Sequence, residues 1–292
     1  MTTDIDVVIP AYNAEATIGR AVLSALASGA AQVIVVDDGS DDGTVAAAQA
    51  AGARVIRQAN TGAAQARRAG VALSTAAFTV LLDADDRLIP SGVRASVRVA
   101  TAAGMGCSVV FGRTIGVRRD GTETPFAHWE VPVTTQELLR RGYSPCPPAA
   151  MLWRRAALGE ALSGSVPAVW PRYAEDYELL IRGSLGGAVA RHDAEAAYYA
   201  LDGGKSMQLP RRSLECSEEI RRHYAEILGI PIAKHGAWGI RSRALVRQAK
   251  SMQFATAPAR KSAYLAAAAA MDPLFFGTLA MESVRRRFRA AT

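Results

Sequence analysis

The chain has 292 residues, a formal net charge of +7, and 50% hydrophobic against 21% charged residues. This length allows one large α/β domain with an appendage, or two modest domains. The longest apolar candidate, 263–281, is interrupted by Asp272-Pro273, so we expect no membrane span. The acidic start with Asp4 and Asp6 argues against a secretory signal, and these features together predict a cytoplasmic protein.

The three cysteines, Cys107, Cys146 and Cys216, lie far apart in the sequence. With four histidines they offer neither a zinc spacing nor a disulfide framework, so we expect buried thiols. The positive charge is concentrated near the C-terminus, because the residues from Arg211 onward include 15 Lys and Arg against 6 Asp and Glu. An anionic partner would therefore meet this C-terminal region.

The first hundred residues alternate between strand and helix signals. Short β-branched runs predict strands at 6–10, 32–36, 54–57 and 78–82. The alanine-rich segments that follow them predict helices, of which the first ends at Gly29 and the second, 45–51, ends before Gly52. This order predicts an α/β fold with a doubly wound, mainly parallel sheet and with binding loops at the carboxyl ends of its strands.

The pattern changes after a fourth predicted helix at 91–103. The segment "CSVVFGRTIGVRRDGTET" predicts a strand that enters a hairpin at Asp120-Gly121, so the topology becomes mixed. A proline-rich loop at 143–150, a helix in "AEDYELLIRGSLGG" and a strand in "AVARHDAEAAYYALDGGKSM" follow. Beyond residue 211 we expect about four helices, separated at Pro231, Pro258 and Pro273. We accordingly predict three regions, 1–105, 106–210 and 211–292.

Three polar or acidic loops follow the predicted strands: "PAYN" at 10–13, "DDGS" at 37–40 and "DADD" at 83–86. In an open α/β sheet such strand ends converge on one crevice. The carboxylates of Asp83, Asp85 and Asp86 would repel one another unless a cation or hydrogen-bond donors compensate them. The loop therefore indicates a metal ion, a complex of a diphosphate with a metal ion, or a solvated turn.

Four segments, "VVIPAYNAEATI", "VIVVDDGSDDGT", "NTGAAQARRAG" and "FTVLLDADD", resemble the nucleotide-sugar half of family 2 glycosyltransferases with a GT-A fold. The resemblance returns at "AEDYELLIR" and at "YYALDGGKSM". It implies an inverting enzyme that takes a sugar from a nucleoside-diphosphate sugar and uses Mn²⁺ or Mg²⁺. Regions 1–105 and 106–210 would then be the nucleotide-sugar-binding and acceptor-binding halves of one GT-A domain, followed by a basic helical region.

The resemblance assigns donor-site roles to the three loops. Asp38 would accept the imide hydrogen of a pyrimidine, which favours UDP as the carrier, with dTDP next. Asp83 would face the ribose, with Ala84 in the same site, and Asp85 would bind the cation in a DXD motif. The remaining donor-site residues would be Pro10, Ala11 and Tyr12 against the base, and Arg67 against the uracil or the phosphates. A solvated helix face is the alternative for Arg67 and Arg68, and the family usually has asparagine at the position of Arg68.

The resemblance also assigns a catalytic base to the acidic pair of "AEDYELL". Asp176 would take the proton from the acceptor hydroxyl, with Glu175 as the alternative base. An acidic pair that merely favours the helix dipole is the other interpretation. The segment "GGKS" at 203–206 would close over the diphosphate or form a plain surface loop. The processive motif Q-x-x-R-W is absent, so we expect transfer of one or a few sugars.

The acceptor side is less defined. Four aromatic residues are candidates for sugar stacking or for ordinary packing: Trp129, Trp153, Trp170 and Tyr173. The ending "FFGTLAMESVRRRFRAAT" predicts a basic amphipathic helix, which would lie on the inner face of an anionic membrane, form a homodimer or domain contact, or remain solvated. We expect no nucleic-acid binding, because no recognised module accompanies the arginines.

Two rival functions remain at this level. A nucleotidyltransferase would need a glycine-rich, lysine-bearing phosphate loop after the first strand, and "PAYNAE" does not provide one. A catalytically silent nucleotide-sugar binding or scaffold protein would keep the donor loops but would not need Asp176. The expected function is therefore sugar transfer to an acceptor hydroxyl, in cell-surface glycan or natural-product glycoside synthesis.

Overall fold

The structure is a computed structural model that describes residues 4–126, 129, 131–164, 166–170, 173–202, 209–251, 258–277 and 281. The strands are β1 (Ile5–Ala11), β2 (Gln32–Asp37), β3 (Arg54–Arg57), β4 (Phe78–Leu81), β5 (Arg87–Leu88), β6 (Cys107–Val117), β7 (Glu123–Pro125), β8 (Met151–Arg154) and β9 (Ala188–Ala200). The helices are α1 (Glu15–Ala27), α2 (Thr44–Ala50), α3 (Ala63–Leu73), α4 (Pro90–Ala103), α5 (Thr135–Arg141), α6 (Arg155–Ser163), α7 (Glu175–Gly186), α8 (Pro210–Leu228), α9 (Ala237–Ser251) and α10 (Pro258–Met271).

The described strands form one mixed sheet in the order β3-β2-β1-β4-β8-β6-β9-β5, with β7 paired to β6. The first four strands are parallel, and the order 3-2-1-4 places β1 between β2 and β4. All seven residues of β1 are buried, as expected for a strand covered on both faces. The predicted doubly wound sheet of the first hundred residues is therefore confirmed.

The second half of the sheet has the mixed topology that the sequence indicates. β8 lies antiparallel between β4 and β6, and β6 runs parallel to β9. The predicted hairpin at Asp120-Gly121 is present, because Gly116 pairs with Thr124 and Gly121 has a φ of 83°. The short elements β5, α5, β8 and α6 were not predicted, since runs of two to nine residues beside prolines give little periodicity.

Two glycines allow helices to approach the sheet closely, and both helices carry site residues. A Cβ on Gly70 of α3 would lie 2.3 Å from Cγ1 of Val8 in β1. A Cβ on Gly183 of α7 would lie 2.4 Å from the ring of Trp153 in β8. No side chain larger than hydrogen fits at either position without a shift, so the depth of α3 and α7 on the sheet depends on these glycines.

The chain divides into two compact units: Met1–Ala168 with Glu175–Asp202, and Val169–Ala174 with Gly203–Thr292. The first unit contains the sheet. In the second, the described residues after 211 are helical or in connecting segments, as predicted, and Pro258 opens α10. Within the described ranges, no helix is long and apolar enough to cross a membrane.

A buried carboxylate organises part of the second unit. Glu218 of α8 is 4% exposed and accepts hydrogen bonds from the backbone N–H of His235 at 2.9 Å and from Nε of Arg222 at 3.0 Å. Although burial opposes it, the hydrogen bonds from His235 and the charge of Arg221 lower the pKa of Glu218 to about 2. The carboxylate therefore stays charged and fixes the segment that follows α8.

Candidate active site

The loops that follow β1 and β2 are tied to each other. The backbone N–H of Asp38 donates to the carbonyl of Ala11 at 2.8 Å, and the backbone N–H of Asn13 donates to Oγ of Ser40 at 2.9 Å. Pro10 and Ala11 are buried at the end of β1, whereas Tyr12 is 48% exposed. The three residues predicted to pack on the base thus form a rigid strand end that presents one exposed aromatic ring.

Asp38 is buried beside this strand end, and its carboxylate holds the loop that precedes α3. It accepts hydrogen bonds from Nε2 of Gln58 at 2.8 Å, from the N–H of Thr61 at 2.9 Å and from the N–H of Gly62 at 2.8 Å. Gly62 has a φ of 97°, which other residues rarely adopt. Asp38 therefore shapes the loop that leads to Arg67, a role that the sequence did not indicate.

The three carboxylates after β4 have different environments. Asp83 is paired with Arg67, and Asp85 is exposed and has no ion pair within the described residues. Asp86 is buried, and its Oδ1 accepts the N–H of Ala200 in β9 at 2.8 Å. Asp86 thus contacts a strand that is distant in sequence, because β9 runs alongside β5 and brings its last residues to this loop.

Charge accumulates at this strand end. Although Asp85 is exposed, the protein around its carboxyl removes part of its hydration, and this desolvation and then the charge of Asp83 raise the pKa of Asp85. Burial, followed by the charges of Asp83 and Asp85, raises the pKa of Asp86 well above its usual range. Its second oxygen, Oδ2, is buried without a hydrogen-bond partner in the described part of the chain. The loop therefore lacks the protein donors and cations that would compensate three ionised carboxylates.

Arg67 connects this loop to the start of α7. It lies on α3, is 8% exposed, and donates from Nη2 to Oδ1 of Asp83 at 2.6 Å and from Nη1 to Oε1 of Glu175 at 2.8 Å. The interpretation of Arg67 as part of a solvated helix face is wrong. Asp83 is 16 residues and Glu175 is 108 residues away from Arg67 in sequence, so this bridge joins three separate elements.

The acidic pair opens α7 as predicted. Glu175 and Asp176 are the first two residues of the helix and both are half-buried. Burial, followed by the charge of Glu175, raises the pKa of Asp176 to about 6, although the charge of Arg67 opposes this. The buried thiol of Cys146 is close enough to Asp176 that burial and then this carboxylate raise its pKa well above the usual range.

Tyr199 is close enough to four aspartates, Asp83, Asp85, Asp86 and Asp176, for their charges to affect its phenol. The phenol of Tyr199 in β9 has its pKa raised by burial first, and then by the charges of Asp86, Asp83, Asp176 and Asp85. Its ring packs edge-on against Phe126 at 5.7 Å. The loop after β4 and the start of α7 therefore lie together, joined by Arg67, and Tyr199 lies in the same candidate cleft.

Sequence reasoning missed Tyr199 as a site residue, and it predicted the buried thiol of Cys146, which is confirmed, but not its position near Asp176. The adjacent tyrosines in "AAYYAL" indicate one aromatic ring on each face of a strand, which is a signal for Tyr199. Tyr198 points to the other side, where Arg87 lies 4.5 Å above its ring. The face that meets the aspartates depends on the pairing of β9 with β6, which is a non-local property.

The remaining candidates are buried, belong to the second compact unit, or lie outside the described residues. Trp129 and Trp153 are 4% and 1% exposed, so they pack in the core and do not present a face to a sugar. Trp170 and Tyr173 belong to the second compact unit. The "GGKS" segment with Lys205, and the arginines 285–289, lie outside the described residues.

The donor atoms fit a hard divalent cation that brings other ligands with it. Asp85 supplies carboxylate oxygens, the type that Mg²⁺ and Mn²⁺ prefer, and the uncompensated charge around it favours a cation. Within the described ranges, no group of three His, Cys, Asp or Glu side chains is placed to hold a metal ion. A cation at Asp85 would thus complete its coordination with phosphate oxygens and water.

Comparison with known proteins identifies the family of the chain. The family model for glycosyl transferase family 2 matches residues 6–159, which is more than half of the chain. The succinoglycan biosynthesis protein ExoU of Rhizobium meliloti (strain 1021) is 44% identical over 95 residues, which are 30% of this chain and 28% of ExoU. The protein ExoO of the same organism is 39% identical over 107 residues, 35% of this chain and 31% of ExoO. The alignments thus span about a third of these relatives' length.

Solved structures share the fold. S. aureus TarS 1-349 in complex with UDP-GlcNAc superposes with a TM-score of 0.58 at 19% identity, over 90% of this chain and 79% of that one. Glucosyl-3-phosphoglycerate synthase from Mycobacterium tuberculosis, in complex with Mn²⁺, UDP and glucosyl-3-phosphoglycerate, superposes with a TM-score of 0.51 at 24% identity, over 78% and 80%. The match to the family model, in a chain that shares the GT-A fold, leads to one conclusion: the chain belongs to glycosyl transferase family 2.

Proposed function

We propose that this glycosyltransferase transfers a sugar, with inversion, from a UDP-sugar to an acceptor hydroxyl and uses Mn²⁺ or Mg²⁺. A dTDP-sugar is the next choice of donor. The observation that carries the proposal is the bridge in which Arg67 bonds both Asp83 and Glu175, because it brings the loop with Asp83 and Asp85 next to the start of α7, where Asp176 lies. A donor site and a base held close together are what a direct displacement at a sugar carbon needs.

The donor end of the cleft is assigned to the loops after β1, β2 and β4. Tyr12 offers an exposed ring to a nucleobase, and Asp38 shapes the adjoining loop while its carboxylate retains lone pairs for an imide N–H. Two proteins of the same fold support a uridine nucleotide, since one was solved with UDP-GlcNAc and the other with UDP. Ala84 would line the donor site between Asp83 and Asp85.

The cation is assigned to Asp85, with Asp83 nearby on the side of the ribose. When bound, a divalent cation would offset the negative charge that develops on the departing diphosphate. The complex of glucosyl-3-phosphoglycerate synthase contains Mn²⁺ with UDP, which supports this assignment. Arg67 keeps its positive charge beside Asp83, because the carboxylates of Asp83 and Glu175 raise its pKa although burial opposes this.

The base is assigned to Asp176. Its raised pKa of about 6 is close enough to neutrality for the carboxylate to accept a proton from the acceptor hydroxyl while remaining ionised before the reaction. The acceptor oxygen then bonds to the anomeric carbon as the bond from that carbon to the diphosphate oxygen breaks, and UDP leaves with the bonding electrons. The proton ends on Asp176, and the sugar ends on the acceptor with inverted configuration.

The acceptor class is proposed from the relatives. Two matched relatives are named as succinoglycan biosynthesis proteins, which supports a growing cell-surface glycan as the acceptor, ahead of a natural-product scaffold. A peripheral contact of the basic C-terminal residues with the inner face of the membrane, or a homodimer, would fit that setting. The proposal places the enzyme in the cytoplasm.

A thermal-shift panel tests the proposal. The purified chain is heated with UDP-, dTDP-, GDP- and ADP-sugars, each with Mn²⁺ and with a chelator. Because a ligand that binds only the folded protein raises its melting temperature, a UDP-sugar with Mn²⁺ should give the largest increase. If the melting temperature rose equally in chelator, the proposed use of a divalent cation would be contradicted. If sugars carried by purine nucleotides raised it most, the proposed UDP-sugar donor would be contradicted.

A further inference from the structure

Glu175 and Asp176 are neighbours in sequence, but the structure gives them different surroundings. Adjacent residues of a helix point in different directions, and here Glu175 points to Arg67 while Asp176 lies outside that bridge. The guanidinium of Arg67 also bonds Asp83, and its Nε–H has no acceptor within the described residues. A buried guanidinium with an unused donor depends strongly on the partners that it does have.

We propose that Glu175 is a positioning residue for the transfer reaction: its carboxylate holds Arg67 against Asp83 and thereby couples the donor-side loop to the helix that carries Asp176. The inference rests on the proposed function, which assigns the donor to the loop of Asp83 and the base to Asp176. It predicts that a change at Glu175 affects both ends of the cleft.

The bridge itself argues for positioning rather than for catalysis. Glu175 accepts a charge-assisted hydrogen bond at 2.8 Å from Arg67, whose side chain is 10% exposed. If Glu175 took up the substrate proton, this pair would be lost in the middle of the reaction, and Arg67 would lose one of its two carboxylate partners. Asp176 can change its charge without breaking the bridge.

Glu175 also affects Asp176 through its charge. The carboxyl of Asp176 faces Glu175, Arg67 and Asp83, and the thiol of Cys146 lies close to it. After burial, the charge of Glu175 is the largest cause that raises its pKa, whereas Arg67 lowers it. A neutral residue at 175 would therefore leave Arg67 less compensated and Asp176 more acidic.

The first test measures the pKa of Asp176 directly, in the metal-free full chain. The protein is labelled with ¹³C at the aspartate carboxyl carbons, the Asp176 signal is identified by its loss in Asp176→Asn, and its chemical shift is followed against pH. Glu175→Gln should lower the midpoint by about one pH unit, because a like charge has been removed. Glu123→Gln, at an exposed residue of β7, should leave it unchanged.

The second test measures the affinity of the donor site for UDP, by calorimetric titration in the presence of Mn²⁺. Glu175→Gln replaces the ion pair with Arg67 by a weaker hydrogen bond to a neutral amide oxygen, so the affinity for UDP should fall about fivefold. Glu175→Asp keeps the charge but shortens the reach to Arg67. It should leave the titration midpoint of Asp176 near that of the wild type while still weakening UDP binding. This result would separate the charge effect of Glu175 on Asp176 from its hold on Arg67.

The outcomes are distinct. A Glu175→Gln protein with an unshifted Asp176 midpoint and an affinity for UDP within about twofold of wild type would overturn the inference and leave the proposed function intact. Loss of transfer in Glu175→Gln as complete as in Asp176→Asn would make Glu175 the base and overturn the inference. Full turnover of Asp176→Asn would overturn the proposed function itself. Thermal melting of each variant identifies misfolding, and Glu175→Asp provides the second reading if Glu175→Gln is unstable.

Discussion

At the scale of single residues, the aspartates of the cleft have different roles because their neighbours differ. Asp83 is neutralised by Arg67, Asp86 is fixed by the N–H of Ala200, and Asp85 keeps its oxygens exposed. Burial and a neighbouring carboxylate raise the pKa of Asp176. The sequence predicted that the loop after β4 and the start of α7 carry acidic site residues. It did not predict the partners of these residues, because each partner comes from a different element.

The raised pKa of Asp176 predicts the pH dependence of transfer. The base must be deprotonated to accept the hydroxyl proton, so kcat/KM should be independent of pH above about 7 and fall about tenfold per pH unit below about 6. Transfer assays across this range, with Glu123→Gln as a control that should follow the wild type, measure the profile. Activity that stays constant down to about pH 5 would exclude Asp176 with this pKa as the base.

At the scale of elements, a helix or strand could be predicted from the sequence where local signals define it, but not where long-range pairing does. The strands β1 to β4 and the helices α1 to α4 could be predicted because each has its own hydrophobic pattern and glycine or proline boundaries. β8 could not, since four residues that follow a proline-rich loop become a strand by pairing with β4 and β6. Gly70 and Gly183 were also missed, because the need for glycine appears only when a helix meets its neighbour.

Gly70 provides a prediction at this scale. Gly70→Ala should destabilise the protein by about 1–3 kcal/mol, because the new Cβ would overlap Val8 and push α3 away from β1. The same shift would move Arg67, one turn earlier on α3, and so weaken UDP binding. Urea denaturation gives the free energy of unfolding, and calorimetry gives the affinity for UDP with Mn²⁺.

A matched variant controls for the effect of alanine itself. Gly19 lies in α1 with no atom within 4 Å of a built Cβ, so Gly19→Ala should leave stability unchanged or raise it by up to about 1 kcal/mol. If both variants had the same stability, then close approach of α3 to the sheet would not require glycine.

At the scale of the whole molecule, the chain separates a sheet unit with the acidic cleft from a second unit with basic helices. The change in charge after Arg211 could be predicted from composition. The bridge that joins Asp83 to Glu175 through Arg67 could be expected only through family resemblance, because 92 residues separate the two carboxylates and β5, β6 and β9 must pair before both can reach Arg67. Spacing along the chain does not contain that information.

The basic C-terminal residues give a prediction for the full chain. It should sediment with vesicles of phosphatidylserine and phosphatidylcholine but not with pure phosphatidylcholine, and added salt should release it. A full-length variant with Arg285, Arg286, Arg287 and Arg289 changed to glutamine should bind the mixed vesicles more weakly. Equal sedimentation of both proteins would remove these arginines from any membrane contact.

The most direct test of a shared cleft is the Asp176→Asn variant, assayed for both ends of the reaction. If the base acts on an acceptor beside a donor held by the loop after β4, the variant should bind UDP with Mn²⁺ as the wild type does and lose about a thousandfold or more in kcat for transfer. Undiminished transfer by Asp176→Asn would contradict the account.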